Sequence, residues 1–387
     1  MQRVLLTPGP VELPDPVRLA GGNPMISHRE PAFSVLYREL LEKLARLFET
    51  SDPVLPVPGS GTGGLDALCQ NLLEPGDEVL SVSCGAFGDR FREIAARRGV
   101  DLHVLDVPWG EAVDPASVRE ALMARPGTKA LLLTHNETST GVVNPVEAIL
   151  AALPEPRPLV LLDGVSSVGA MSCLPQAWGV DGLATSSQKG LMSPPGLSFL
   201  WLSSRGWEAA RSHRCPTYSL DLVLYRKDLE KNSQTPYTPP LSLYAAVSAG
   251  LDGILREGAP VWFAARRRFA RALASGLEGL GLPLLVTREE HRSPGVTALY
   301  FESPGVADSL RESLRSMGVE VAGGQGPLKG HLVRVAHYVD LGWPQLSLIL
   351  GSFWAACRAQ GKLPSPKEAL ERAYETWKEE TPCGRSW

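Results

Sequence analysis

Lysine is scarce in this chain. Nine occur among 387 residues, and most of them sit among charged neighbours or at the edges of expected elements, where the ammonium is solvated. Lys189 differs. The run Gly182-Leu-Ala-Thr-Ser-Ser-Gln-Lys-Gly190 places it just past an apolar strand, ahead of the constrained turn Met192-Ser-Pro-Pro-Gly196. A lysine held there, partly desolvated, loses proton affinity, and its neutral amine can form a Schiff base with an aldehyde. Asp163, 26 residues earlier, ends the apolar run Leu159-Val-Leu-Leu and opens the small-residue turn Gly164-Val-Ser-Ser. Open α/β sheets bind ligands outside the carboxyl ends of their strands, where both residues would project. A lysine for the aldehyde and a carboxylate for the pyridinium nitrogen form the pair that pyridoxal phosphate needs. Position alone leaves plainer readings open: a structural lysine, and an aspartate that caps the next helix.

A phosphate cradle should accompany such a pair. Pro58-Gly-Ser-Gly-Thr-Gly-Gly64 follows a strand and opens a helix, so backbone N–H groups and the helix dipole converge on an anion, with Ser60 and Thr62 adding hydroxyl donors. It lacks the lysine of a P-loop and is not the usual dinucleotide fingerprint, which disfavours a nucleotide. Phe87, in Cys84-Gly-Ala-Phe-Gly, follows another strand end and could stack on a flat heteroaromatic ring or simply start a helix in the core. Thr134-His-Asn-Glu-Thr-Ser-Thr-Gly141 is a dense polar loop suited to ligand contact, although turn chemistry also uses such residues. Arg334 alternates with apolar neighbours in His331-Leu-Val-Arg-Val-Ala, and a buried guanidinium there calls for a bidentate carboxylate such as a substrate α-carboxylate.

The elements that must position these residues follow from the apolar pattern. Between about Glu30 and Ser203, short β-rich runs alternate with amphipathic segments, the pattern of βα units on a largely parallel sheet. Strands are expected at Val54–Val57, Glu78–Val82, Leu102–Val107, Ala130–Thr134, Leu159–Leu162, Gly182–Thr185 and Leu197–Leu202, hence an α/β fold with a seven-stranded sheet. Helices are expected at about Gly63–Leu73, Phe87–Arg98, Pro115–Ala124 and Pro145–Ala152. Gln234–Pro240 reads as an extended loop, and helices follow at Leu241–Arg256 and Pro260–Leu280. A smaller α/β domain is expected over 258–387, after an N-terminal segment and large domain over 1–257. Its strands are Leu284–Val286, Thr297–Phe301, Val319–Ala322 and Leu332–Ala336. Its helices lie near Val306–Met317, Trp343–Ala359 and Pro366–Glu380, before a fraying Thr381–Trp387.

Composition sets the outer limits. Lys+Arg 38 against Asp+Glu 42 gives a net charge of −4 with no basic tract, so a nucleic-acid partner is not expected. The opening Met1-Gln-Arg-Val-Leu-Leu-Thr-Pro has too short an apolar run for a signal peptide, and no stretch approaches a spanning helix; a cytoplasmic, membrane-free protein is expected. Six scattered cysteines without a C-x-x-C pair fit a reducing compartment, and the seven histidines show no metal-ligand spacing.

Together these segments resemble the class V aminotransferases of the fold type I pyridoxal phosphate enzymes, and within them the alanine–glyoxylate and serine–pyruvate branch. The resemblance runs from Thr7-Pro-Gly-Pro10 to about Ala336 through Ser60-Gly-Thr, Gly85-Ala-Phe-Gly, Thr134-His-Asn-Glu-Thr-Ser-Thr-Gly, Leu162-Asp-Gly-Val-Ser-Ser, Ser186-Ser-Gln-Lys-Gly, Tyr237-Thr-Pro-Pro and Val333-Arg-Val. It implies that Lys189 holds the cofactor aldehyde and moves the α-proton, that Asp163 pairs with the pyridine nitrogen, and that Thr138 approaches the ring's O3′ side. It further implies that Ser60, Gly61, Thr62 and Gln188 hold the phosphate, and that Thr238 reaches it from a neighbouring subunit, making a homodimer with shared sites. Arg334 would take the substrate carboxylate and Gly9 would line the substrate pocket. Phe87 stands where this branch commonly has Trp, and Thr138 where Ser is frequent. His28-Arg29 resembles an entrance segment in some relatives and equally suits a helix-entry surface.

The activity so implied is transfer of an amino group from a small amino acid, alanine or serine, to a small 2-oxo acid, glyoxylate or pyruvate. Three rivals stand beside it. A cysteine desulfurase needs a reactive cysteine on a late mobile loop; Gly323-Gly-Gln-Gly-Pro-Leu-Lys-Gly330 has none, which leaves Cys215 as the open question. A 2-aminoethylphosphonate transaminase would share the fold with another donor. A non-catalytic relative kept as an assembly subunit would not need Lys189, Asp163 and Arg334 together.

Overall fold

The computed structural model describes residues 3–212, 215–358 and 365–379. The seven strands expected between residues 54 and 202 form and join one sheet. Their spatial order is Leu55–Gly59, Gly196–Leu202, Gly182–Ser186, Leu159–Asp163, Ala130–Thr134, Glu78–Ser83 and Asp101–Asp106. Gly196–Leu202 runs antiparallel to both its neighbours, and the other adjacent strands pair in parallel. The three central strands are buried along their whole length, as continuous apolar runs require when both faces of a parallel sheet are covered. Alternate residues serve opposite faces. Leu131, Leu133, Val160, Leu162 and Leu183 enter one core, while Ala130, Leu132, Leu161 and Ala184 enter the other.

Helices Gly61–Leu72, Ala86–Arg97, Pro115–Met123 and Val146–Ala151 follow their strands within a residue or two of the expected bounds. An 18-residue helix, Pro31–Phe48, was not among the expected elements, although Phe33, Tyr37, Leu40, Leu41, Leu44, Leu47 and Phe48 bury one face at helical spacing. It packs on Leu241–Leu255, where the Tyr37 and Tyr244 rings lie 5.9 Å apart. Asp15–Gly21, Ser204–Ser212 and Leu222–Asn232 are further unexpected helices.

The C-terminal part builds a second sheet in the order Val4–Leu6, Val319–Gly323, Leu332–Ala336, Val296–Tyr300. Val4–Leu6, at the start of the chain, pairs in parallel with Val319–Val321 across more than 300 residues of sequence, which no local pattern announces. Leu284–Val286, expected as a strand, makes a single bridge from Leu284 to Leu299; it is three residues long and follows Pro283, which has no N–H to extend a ladder. Helices Val306–Ser316, Trp343–Arg358 and Pro366–Glu379 cover this sheet's core with Ala259–Gly279. The expected helix ends at Ala359 and Glu380 and the segment Thr381–Trp387 lie outside the described residues. We propose a division of the chain near residue 258, with Val4–Leu6 as the N-terminal strand that crosses it.

Candidate active site

The carboxyl ends of the central strands bring the chemistry together. Lys189 follows the strand Gly182–Ser186 and is almost completely buried. Its Nζ donates to Ser166 Oγ at 3.1 Å and to Thr138 Oγ1 at 3.3 Å, and these two hydroxyls bond to each other. Burial, against the pull of Asp163 and with a smaller push from Arg334, lowers the Lys189 ammonium to about 8. Asp163 ends Leu159–Asp163, and its Oδ1 accepts the Val165 N–H at 2.8 Å. Burial raises its carboxyl to about 7, against that hydrogen bond, with Glu137 adding to the rise. Burial thus makes both charges costly while each lies in the favourable field of the other, an arrangement that marks reactive sites.

Phe87 lies at the start of Ala86–Arg97 with its ring centroid 5.1 Å from Lys189 Nζ. What holds it is Glu137, which is fully buried. One carboxylate oxygen accepts the Phe87 and Gly88 N–H groups, both at 3.0 Å, and the other accepts from the Ser139 N–H at 2.9 Å and its hydroxyl at 2.6 Å. An acidic side chain therefore satisfies orphan donors at a helix N-terminus, where the dipole favours negative charge. Arg90, one turn on, lies 4.9 Å over the same ring and reaches Thr62 Oγ1 at 3.5 Å. Ser60 caps Gly61–Leu72 by accepting the Gly63 N–H, and both Ser60 and Thr62 are exposed. The helix N-terminus, the two hydroxyls and Arg90 make an anion cradle beside the buried lysine.

Arg334 enters from the second sheet. Its Nε donates to Gly323 O at 2.8 Å and its Nη1 to Thr138 O at 3.0 Å, so the guanidinium is fixed between the sheets. Burial lowers its proton affinity, and Glu137 supports its charge. Gly9 closes the far side: at φ +102° it takes a backbone that side chains avoid, and a Cβ there would lie 3.1 Å from Lys189 Cγ. Thr238 stands apart from this cluster. It is exposed and meets His28 Nε2 at 3.4 Å, while Arg29 donates to Gln234 Oε1 at 3.0 Å, Thr235 O at 2.9 Å and Pro236 O at 3.2 Å. His28 and Arg29 thus fasten the loop that carries Thr238.

Several buried polar atoms around the strand ends have no protein partner: Thr134 Oγ1, His135 Nδ1, Asn136 Oδ1, Ser186 Oγ and Gln188 Oε1. Native interiors rarely leave such groups unmatched. With a lysine and an aspartate at the centre and an anion cradle beside them, the donor set fits pyridoxal phosphate. Sequence reasoning did not single out Glu137, Ser166 or Arg90. Glu137 and Ser166 lay inside quoted motifs, but only packing shows what they touch. Away from the site, Glu78, Asp101 and His103 meet near the sheet edge, where His103 Nε2 lies 3.5 Å from Glu78 Oε1.

A family model for class-V aminotransferases matches residues 18–337. The chain belongs to the class-V aminotransferases. Its motif positions and the geometry above agree with pyridoxal-phosphate-dependent transamination as its activity. A protein of Anabaena cylindrica named soluble hydrogenase 42 kDa subunit is 37% identical over 86% of this chain and 88% of that protein. The L-aspartate–glyoxylate aminotransferase of Paracoccus denitrificans is 34% identical over 88% of this chain and 87% of its own length. In structure, alanine–glyoxylate aminotransferase of Nostoc sp. superposes with a TM-score of 0.87 at 31% identity, covering 92% of this aminotransferase and 96% of that chain. Among the described residues no helix is long and apolar enough to cross a membrane.

Proposed function

We propose that this aminotransferase moves an amino group from a small amino acid, alanine or serine, to glyoxylate or pyruvate in the cytoplasm, as a homodimer. The observation that carries the reading is Lys189, buried past a strand end with its Nζ on the Ser166 and Thr138 hydroxyls, in the field of Asp163 and Arg334. Pyridoxal phosphate, when bound, supplies a ring that withdraws electrons from the substrate α-carbon. Lys189 then serves as the base that takes and returns the α-proton, because a lysine near neutrality can do both. Asp163 presents a buried carboxylate to a ring nitrogen, and Arg334, braced by Gly323 and Thr138, offers its remaining donors to the α-carboxylate. Phe87 and Gly9 confine the space on either side of the lysine. Ser60, Gly61, Thr62 and Gln188 hold the phosphate, and the Thr238 loop of a second copy completes the cradle. Glyoxylate as acceptor is supported by the names of the Paracoccus and Nostoc relatives.

The five cysteines among the described residues are free and buried, and burial raises the Cys215 thiol, so none of these five offers the exposed thiolate that a desulfurase requires. The subunit name of the Anabaena relative keeps the assembly reading in view. One experiment separates them: near-ultraviolet and visible absorbance of the purified protein before and after L-alanine or L-serine, with Lys189→Ala alongside. We expect a band that converts to the amine form in wild type and does not in the variant. No band after soaking in pyridoxal phosphate would sink the enzyme reading and favour the assembly subunit. A band indifferent to both amino acids refutes the donor assignment.

A further inference from the structure

The first turn of the helix Ala86–Arg97 offers three consecutive backbone N–H groups, and all three end on the segment 137–139. Ala86 donates to Ser139 Oγ at 3.0 Å, and Phe87 and Gly88 both donate to Glu137 Oε2 at 3.0 Å. The Ser139 hydroxyl and N–H in turn donate to Glu137 Oε1, at 2.6 and 2.9 Å. Glu137 has no exposed surface, and its stem runs beneath Gly85: a Cβ there would fall 2.5 Å from Glu137 Cγ and Cδ and 2.5 Å from Ser139 Oγ. The Gly85 backbone is extended at φ 169°, so glycine is needed at this point for room and not for conformation.

Counting donors shows why the group is a carboxylate. Each of its hydrogen-bond partners is a donor, four hydrogens on two oxygens. These bonds oppose the rise that burial gives the carboxyl. A glutamine amide has a single oxygen, so at least one backbone N–H at the helix start or at Ser139 would lose its acceptor. Thr138, between the two gripping residues, accepts Arg334 Nη1 on its carbonyl at 3.0 Å. None of these bonds uses the Lys189 amine, so they hold whether that lysine is free or linked to an aldehyde.

We propose that Glu137 is a positioning residue that locks two subsites to each other: its carboxylate fixes the Phe87 ring through the helix start, and its segment fixes the Arg334 guanidinium through the Thr138 carbonyl. The inference rests on the aminotransferase reading and adds to it a residue that acts only through Phe87 and Arg334. Disturbing Glu137 should therefore weaken the hold on the cofactor ring and on the substrate carboxylate together. A loss of packing alone changes how much of the protein is folded, and leaves the affinities of the folded fraction where they were.

The test compares wild type with Glu137→Gln and Gly85→Ala. Glu137→Gln keeps the volume and removes the charge, whereas Gly85→Ala keeps every charge and displaces the carboxylate by contact. Protein stripped of cofactor is titrated with pyridoxal phosphate for its Kd, and the reconstituted enzyme gives KM and kcat for L-alanine and L-serine, with urea unfolding alongside. We expect Glu137→Gln to raise the Kd about tenfold or more, the size of one lost hydrogen bond to a charged group. Gly85→Ala should move it in the same direction, and in both variants KM should rise by a larger factor than kcat falls. A Kd unmoved in folded Glu137→Gln overturns the proposal, as does a change confined to the urea midpoint; a raised Kd with an unmoved KM overturns the lock between the subsites. Should Glu137→Gln not fold, Gly85→Ala decides by the same criteria, and if wild type accepts neither amino acid the Kd decides. A wild-type protein that binds no pyridoxal phosphate refutes the aminotransferase reading and this inference together, whereas one that binds it while both variants match it refutes this inference alone.

Discussion

Gly61→Ala tests how the phosphate cradle and the ring-nitrogen carboxylate are joined. Gly61 opens the helix Gly61–Leu72, and a Cβ there would lie 2.7 and 2.8 Å from the two methyls of Val165 and 3.3 Å from Ser186 Cβ. Carbon atoms settle at about 3.5–4.0 Å, so Val165 must retreat by roughly 0.8 Å. Overpacking of this kind costs about 1–3 kcal/mol, offset by the roughly 0.5–1 kcal/mol that alanine gains over glycine in a helix. We expect a net loss of about 1–2 kcal/mol, read from the urea unfolding midpoint. The displacement also has a functional address. Val165 donates its N–H to Asp163 Oδ1 at 2.8 Å, so pushing Val165 loosens the carboxylate, and cofactor retention should fall more than stability alone explains. Val165→Ala removes the colliding methyls at a cost of about 1.6 kcal/mol for two buried carbons. Independent sites would make the double variant worse than either single one; here it should be no less stable than Val165→Ala alone. A harmless Gly61→Ala, or strict additivity with Val165→Ala, would refute the close approach on which the cradle rests.

The remaining predictions concern charge and the outer loop. In protein stripped of cofactor, only the neutral Lys189 amine attacks an aldehyde, so the rate of pyridoxal phosphate uptake should rise about tenfold per pH unit below about 8 and level above it. The sign follows from burial, which disfavours the charged form; stopped-flow absorbance with a rise continuing to pH 10 would contradict the lowered value. Arg29→Ala removes three hydrogen bonds to Gln234, Thr235 and Pro236. Amide exchange over 234–238 should speed up while the unfolding midpoint changes by less than about 1 kcal/mol, since these contacts are largely at the surface. Unchanged exchange would show that the loop is held by other means.

Much of the fold was legible because its signals are local. Each central strand is an apolar run bounded by turn residues, and each motif residue sits where such a run stops: Ser60 after Leu55–Gly59, Asp163 at the end of Leu159–Asp163, Lys189 past Gly182–Ser186. Arg334 was conspicuous as the one charge within its strand. Pro31–Phe48 carries an equally legible helical spacing, but it precedes the first strand of the βα series and so stands outside that pattern.

Residue types and their order determined the α/β class, the parallel sheet, and a lysine and an aspartate at neighbouring strand ends. Those follow from hydrophobic periodicity and from the rule that places ligands at carboxyl ends of strands. Only the tertiary structure decided what these residues touch. Glu137 became the anchor of Phe87 across 50 residues, and Arg334 became fixed by Thr138 across 196. Periodicity says which face of an element is buried but not which distant element covers it. Proton affinities depend on that covering, because the cost of a buried charge is set by every neighbour that replaces water.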